Sequence, residues 1–114
     1  MFELYYPFTF LNQMIQIERG NKYKAAKIKK DTTNFVYYSL KGHKPFNYPC
    51  RLRFTWQLKN KRMDLDNVAY AKKGIIDGMV KAGLLPDDGL KYIIGFVDEY
   101  EISDKVGVKV EEMR

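Results

Sequence analysis

Two pairs of carboxylates are the residues of this sequence best suited to chemistry. Asp64 and Asp66 are one residue apart in the run Arg62-Met-Asp-Leu-Asp-Asn67, at the start of a helical pattern. A second pair, Asp87-Asp88, follows where the chain would return from that helix. Mg²⁺ takes oxygen ligands and is usually held by one or two carboxylates together with the phosphates of a substrate. The spacing therefore predicts a Mg²⁺ site that acts on phosphate, as in a nuclease.

The charge of the chain is distributed unevenly. Residues 1–63 contain 13 Lys and Arg against three Asp and Glu, a net +10, whereas residues 64–114 contain seven against 11, a net −4. A basic half attracts a polyanion, and an acidic half repels one unless cations neutralise it. This favours nucleic acid as the partner, with a merely solvated, uneven surface as the alternative. We predict phosphate contacts from the following residues: Arg19, Lys22, Lys24, Lys27, Lys29, Lys30, Arg51, Arg53, Lys61 and Arg62.

Length and composition limit the class of protein. A chain of 114 residues is long enough for one core and too short for two, so we predict a single domain over residues 1–114. No apolar run approaches the roughly 20 residues of a membrane span, and no signal-peptide pattern is present. The single cysteine, Cys50, excludes an internal disulfide and a cysteine-rich zinc site. Because neither a membrane span nor a signal peptide is predicted, we expect a soluble, intracellular protein with no membrane partner. No glycine-rich phosphate loop appears, and we expect no organic cofactor.

Hydrophobic periodicity predicts the elements that position the carboxylates. The predicted strands are 3–11, 50–59, 90–102 and 106–110, the last being the final strand of a hairpin, and the predicted helices are 22–40 and 66–82. These elements define an α+β domain with a mixed sheet and two main helices. Short connections favour neighbouring strands, so strands 50–59 and 90–102 should hold the carboxylates between them.

The second predicted helix has a buried face and a polar face. Four apolar residues lie within one narrow arc and predict the buried face: Val68, Ala71, Ile75 and Met79. Four polar residues lie opposite: Asp66, Tyr70, Lys73 and Asp77. Lys73 would therefore share a face with a carboxylate and could neutralise a phosphate. Lys72 points nearer the flank of the core and is the second candidate.

Each carboxylate pair also has a structural explanation. One of Asp64 and Asp66 could be the N-cap of the helix and the other a solvated loop residue. Asp87-Asp88 could belong to a turn that follows Pro86. Asn67 could orient a carboxylate or cap the helix.

Taken together, these motifs resemble the RusA-like Holliday junction resolvases, including phage and prophage members. The resemblance rests on the Asp-Leu-Asp-Asn run, the helix with its Lys-Lys pair, and Asp77-Gly-Met-Val-Lys-Ala-Gly-Leu-Leu-Pro-Asp-Asp88 with the strand that follows. It is densest over residues 50–102. In the N-terminal half it is looser and involves Asn12, Arg19, Lys22 and Tyr23.

The resemblance implies a Mg²⁺-dependent endonuclease that resolves four-way DNA junctions as a homodimer, in the cytoplasm of a bacterial or phage-infected cell. It assigns metal binding to Asp64, Asp66 and Asp88, and it implies an assisting lysine on the helix. The interval between the two acidic motifs is about three residues longer here than in better-known members. Counting back from Asp77 places the lysine at Lys73, whereas counting forward from Asn67 reaches Tyr70.

Two other functions remain open from the sequence. A nucleic-acid-binding module without catalysis would use the acidic cluster structurally. A metal-dependent nuclease acting on flaps or single strands would use the same residues as a junction resolvase.

Overall fold

The strand with the clearest alternation in the sequence, residues 50–59, lies in the interior of the sheet. The computed structural model describes residues 1–113, in which four strands form one mixed sheet of order β1-β4-β2-β3. The strands are β1 (Phe2–Tyr5), β2 (Cys50–Leu58), β3 (Ile93–Ile102) and β4 (Gly107–Met113). β2 runs parallel to β3 and antiparallel to β4, and β4 runs antiparallel to β1.

The helices cover one face of this sheet. They are α1 (Leu11–Gly20), α2 (Lys22–Leu40), α3 (Leu65–Ala69) and α4 (Lys72–Lys81). The Asn21 side chain caps α2 by accepting a hydrogen bond from Lys24 N–H at 3.0 Å. Gly42 and Gly83 follow the ends of α2 and α4. Both have φ near +84°, a conformation that glycine adopts without steric cost.

The core lies between the helices and the covered face of the sheet. Alternating residues of β2 (Leu52, Phe54, Trp56 and Leu58) are buried there. α4 packs closely on α2 because it has glycine at the contact: a Cβ on Gly78 would overlap the Val36 side chain. The result is a single compact α+β domain with a radius of gyration of 14.0 Å. Within residues 1–113 no helix is both long and apolar enough to cross a membrane.

Several sequence predictions are confirmed. α2 has the predicted bounds, and β2 ends one residue before its predicted end. The apolar stripe Val68, Ala71, Ile75 and Met79 is buried throughout. β2 and β3 are neighbouring strands, joined by the segment that carries the paired aspartates.

The N-terminal prediction was wrong in part. The predicted strand 3–11 is shorter, because β1 ends at Tyr5, and the segment that follows contains the helix α1, which the sequence did not predict. α1 buries only Met14 fully. Lys29 Nζ of α2 contacts Glu18 of α1 at 2.7 Å.

The predicted helix 66–82 is interrupted. Tyr70 and Ala71 form a turn between α3 and α4, in which Ala71 N–H donates to Val68 O at 3.1 Å and Lys73 N–H to Tyr70 O at 3.4 Å. These hydrogen bonds join residues three apart, as in a 3₁₀-helix, and tighten the chain where a continuous α-helix was expected. Asp66 therefore lies on a different helix from Lys73 and Asp77, and one common polar face was a wrong prediction.

The predicted hairpin of the last two strands was also wrong. β2 lies between β3 and β4, so these sequential strands do not pair. β4 pairs instead with β2 and β1. This arrangement buries β2 between two neighbours, as its apolar side chains require.

Candidate active site

Asp64 and Asp66 lie at the exposed start of α3. Asp64 occupies the N-cap position, yet its side chain makes no capping hydrogen bond to any described residue. The Asp66 carboxylate accepts the N–H of its neighbour Asn67 at 2.9 Å. Asp64 therefore performs no capping role, Asp66 satisfies one donor in the first turn of α3, and both side chains are exposed.

Two hydrogen bonds hold this end of α3 in place. Tyr100 of β3 donates its hydroxyl to Leu65 O at 3.0 Å. Asn67 is buried, and its Oδ1 accepts Asn12 N–H at 2.8 Å. Asn67 therefore caps a helix, but that helix is α1. Phe10, at the N-cap position of α1, has no side-chain acceptor, so Asn67 satisfies a donor that would otherwise be unpaired.

Lys73 connects α4 to the second acidic pair. Its Nζ lies 3.0 Å from Asp77 Oδ1 and 3.9 Å from Asp88 Oδ2. The hydrogen bond to Asp77 and the charges of Asp77 and Asp88 raise the pKa of Lys73 above its usual value. Lys73 is therefore protonated at neutral pH. It is a fixed positive charge, able to stabilise an anion and unsuited to act as a general base.

Lys72 faces a different carboxylate. Its Nζ lies 2.7 Å from Asp98 Oδ2, and the Lys72 side chain is only 14% exposed. The same Nζ lies 4.3 Å from the centre of the Phe96 ring. Asp98 also accepts Trp56 Nε1–H at 3.0 Å. The prediction that Lys72 points toward the flank of the core is confirmed.

The charges of Asp66 and Asp98 both influence the pKa of the Tyr100 hydroxyl. Burial, and after it the charges of Asp98 and Asp66, raise the pKa of Tyr100. The hydroxyl therefore stays protonated and keeps donating to Leu65. Tyr100 links the start of α3 to β3 while carboxylates from both elements lie near it.

The carboxylates of the site form two groups in this structure. Asp88 joins Asp77 around Lys73, whereas Asp66 and Asp98 lie around Tyr100. Among residues 1–113, no three His, Cys, Asp or Glu side chains are grouped closely enough to hold a metal ion. The chemistry of the donors nevertheless fits Mg²⁺, because the exposed groups are carboxylates, the ligands that hard cations prefer.

The predicted phosphate-binding residues lie on separate surfaces. Those of α1 and α2 are exposed, and two of them are paired: Lys27 with Asp31 at 2.8 Å and Lys29 with Glu18 at 2.7 Å. Lys61 and Arg62 are exposed in the loop before α3. Arg51 and Arg53 alternate with the buried residues of β2, so they lie on the face of the sheet opposite the helices. Arg53 Nε there contacts Glu99 at 3.4 Å.

Sequence reasoning missed Asp98 and Tyr100. Their signal was present in β3, where residues 96, 98 and 100 point to one face by alternation. In the parallel register, Phe54 pairs with Asp98 and Trp56 with Tyr100. Because Phe54 and Trp56 face the core, residues 98 and 100 lie on the helix-covered face. A polar residue on a covered face calls for a partner, but the sequence does not identify Lys72 and Trp56 as the partners of Asp98.

Comparison of the chain with protein-family models and with curated proteins found no match.

Replacing Lys72 by Ala should lower stability more than replacing Lys73. Loss of Lys72 leaves the carboxylate of Asp98, 25% exposed, without its cation. We expect about 2 kcal/mol less free energy of unfolding, below the range for fully buried pairs because water reaches the site. Lys73 is 71% exposed, and its loss should change stability by less than about 0.5 kcal/mol. Urea denaturation followed by circular dichroism measures both, and equal stability of the two variants would contradict the structural role of Lys72.

Proposed function

We propose that this protein is a Mg²⁺-dependent endodeoxyribonuclease that resolves four-way DNA junctions by hydrolysing phosphodiester bonds. The observation that carries the proposal is the position of Asp64 and Asp66. Both are exposed at the start of α3, Asp64 makes no capping hydrogen bond, and Tyr100 and Asn67 fix the backbone around them. Surface aspartates held in this way are available to a ligand.

The proposed chemistry divides between carboxylates and a lysine. Asp64, Asp66 and Asp88 would hold Mg²⁺, which would lower the pKa of an attacking water and offset charge on the phosphate. Because Asp88 now contacts Lys73, metal binding would exchange this contact for one to the ion. Lys73 Nζ, still held by Asp77 at 3.0 Å, would stand beside the phosphate as a protonated group and stabilise charge that develops during cleavage.

The proposed DNA surface begins at the N-terminal half of α2. Lys29 of α2 and Lys73 of α4 line the same cavity, so this basic surface adjoins the site. Lys61 and Arg62 precede α3 and extend the surface along the chain toward Asp64. Arg51 and Arg53 would take part only if DNA, or a second subunit, also reached the opposite face of the sheet.

Cleavage of a junction on two strands of like polarity calls for two equivalent sites. A two-fold homodimer supplies them at a fixed separation, and the resemblance to RusA-like resolvases implies such a dimer. We also propose, on the same resemblance, that the protein works in the cytoplasm of a bacterial or phage-infected cell. The longer interval between the acidic motifs contains the turn at Tyr70 and Ala71, which would absorb the additional residues.

A comparison of substrates tests the proposal. The protein is incubated with an immobile four-way junction, a flap and a linear duplex, with and without Mg²⁺. We expect cleavage of the junction in Mg²⁺ and little cleavage of the other two. Preferential cleavage of the flap would support the single-strand or flap nuclease instead. Binding without cleavage in any divalent ion would support a binding module.

Junction binding should depend strongly on salt through α2. Replacing Lys27, Lys29 and Lys30 together by Ala should weaken junction and duplex alike, because contacts to phosphate read no bases. Removal of one phosphate contact should reduce the slope of log affinity against log salt by about 0.9. The matched control replaces Lys41, Lys44 and Lys105, which are exposed and outside the proposed surface. The surface is misassigned if both triple variants lose the same affinity.

A further inference from the structure

A cavity of about 290 Å³ lies beside Lys73, between α2, the segment before α1 and the turn that joins α3 to α4. Its lining includes buried apolar side chains, Phe8 and Met14. Tyr70, an aromatic residue, also lines the cavity at the turn. Pockets that take small organic molecules start at about 300 Å³ and combine apolar walls with a few polar groups. This cavity therefore has room for one heterocyclic ring system.

Polar groups in the cavity are available to a ligand. The hydroxyls of Thr9, Thr33 and Tyr70 make no hydrogen bond to any side chain or backbone group of residues 1–113. Thr32 also lines the cavity, and its hydroxyl donates to Ile28 O at 3.0 Å, which leaves its lone pairs able to accept. Donors and acceptors near an aromatic wall are suited to the edge of a nucleobase.

The charges of the cavity lining suit a base that is still attached to its backbone. Lys29 and Lys73 line it, and both side chains are more than half exposed. Asp77 also lines it and accepts from Lys73. Exposed ammonium groups can contact phosphates on either side of an inserted nucleotide, whereas a free phosphate would have to enter among apolar side chains.

We propose that this cavity receives one unstacked base of the DNA substrate, beside Lys73, which contacts Asp77 and Asp88. The inference rests on the proposed function and adds a recognition step to it. Unstacking a base costs least where the duplex is already disrupted. A branch point is such a place. Stacking on Tyr70 would offset part of that cost, so the cavity would favour branched DNA over a continuous duplex.

Fluorescence of 2-aminopurine tests the inference without cleavage. Four-way junctions carry this analogue at successive branch-point positions, and they are saturated with protein in EDTA. The analogue brightens when it leaves the base stack. With the wild-type protein we expect a several-fold rise at one position and no rise with the analogue far along an arm.

Two variants connect the signal to the cavity. Tyr70→Ala removes the aromatic wall, and Thr9→Phe fills the cavity from a loop, where a larger side chain is tolerated more readily than in a helix. Both should lose most of the rise at saturating protein while the junction stays bound. Tyr38→Ala is the matched control, because Tyr38 is exposed on α2 and does not line the cavity. Thermal denaturation checks that all three variants fold.

The outcomes separate the inference from the proposed function. If the junction is bound and cut but 2-aminopurine does not brighten, the cavity takes no base and the nuclease proposal stands. An equal rise with wild type, Tyr70→Ala and Thr9→Phe would place unstacking elsewhere and overturn the inference. Absence of junction binding would overturn both.

Discussion

Replacing Asp64, Asp66 or Asp88 by Asn should abolish detectable cleavage while junction binding stays intact or becomes tighter. Each change removes a proposed metal ligand and a negative charge near phosphate, so catalysis falls while repulsion of the DNA also falls. All three side chains are exposed, so the fold should tolerate each replacement. Cleavage rates on a bound junction and affinities from gel shifts measure the two effects separately.

The control for charge is Asp104→Asn in the turn between β3 and β4. It removes the same negative charge from an exposed residue outside the site and should cut at the wild-type rate. Asp77→Asn should have an intermediate effect, because Asp77 positions Lys73 and is not a proposed ligand. Wild-type turnover in any of the three aspartate variants would remove that residue from the metal site.

Lys73→Ala should reduce the cleavage step by roughly 10²-fold or more, the loss expected from one preorganised electrostatic contact. Its affinity for the junction should change little. Lys73→Arg should recover part of the rate because the charge is kept. Single-turnover rates on pre-bound junction measure this, since they separate chemistry from binding.

Lys72→Ala is the matched variant for this test. The two lysines are adjacent in α4, yet Lys72 contacts Asp98 and Lys73 contacts Asp77 and Asp88. Assayed well below its unfolding temperature, Lys72→Ala should cleave at a rate within a few-fold of wild type. If Lys72→Ala were inactive and Lys73→Ala active, the charge near phosphate would come from the Asp98 side of the site, while the proposed aspartate ligands would still stand.

Local signals made part of the fold predictable. The bounds of α2 follow from Asn21, which caps its start, and from Gly42, which has a positive φ just after its end. β2 follows from strict alternation, because its even-numbered residues face a single core. Both elements are specified by residues inside or next to them.

Nonlocal contacts determined the features that the sequence did not predict. α1 receives a cap from Asn67, a residue far along the chain, which accepts Asn12 N–H. β4 pairs with β2 although β3 precedes it in sequence. The turn at Tyr70 interrupts a pattern that is periodic over its whole length, so periodicity alone could not locate it.

The candidate site shows the same division. Spacing predicted a site at Asp64, Asp66 and the pair Asp87-Asp88, because carboxylate pairs are visible in the sequence, and the resemblance selected Asp88 from the second pair. It could not group them, since Asp88 reaches Lys73 only through the fold of α4 and the loop after it. Asp98 went unrecognised because its importance depends on strand register beside Phe54 and on the approach of Lys72.

Metal-triggered incision of a four-way junction is the most direct test of the proposed function. Wild-type protein is bound to an immobile junction in EDTA, excess Mg²⁺ is added, and the cut positions are mapped on all four strands. We predict paired cuts in two opposing strands of like polarity, at positions related by the two-fold symmetry of the junction. A junction that stays bound and uncut after Mg²⁺ and then Mn²⁺ are added would contradict the assignment of a nuclease.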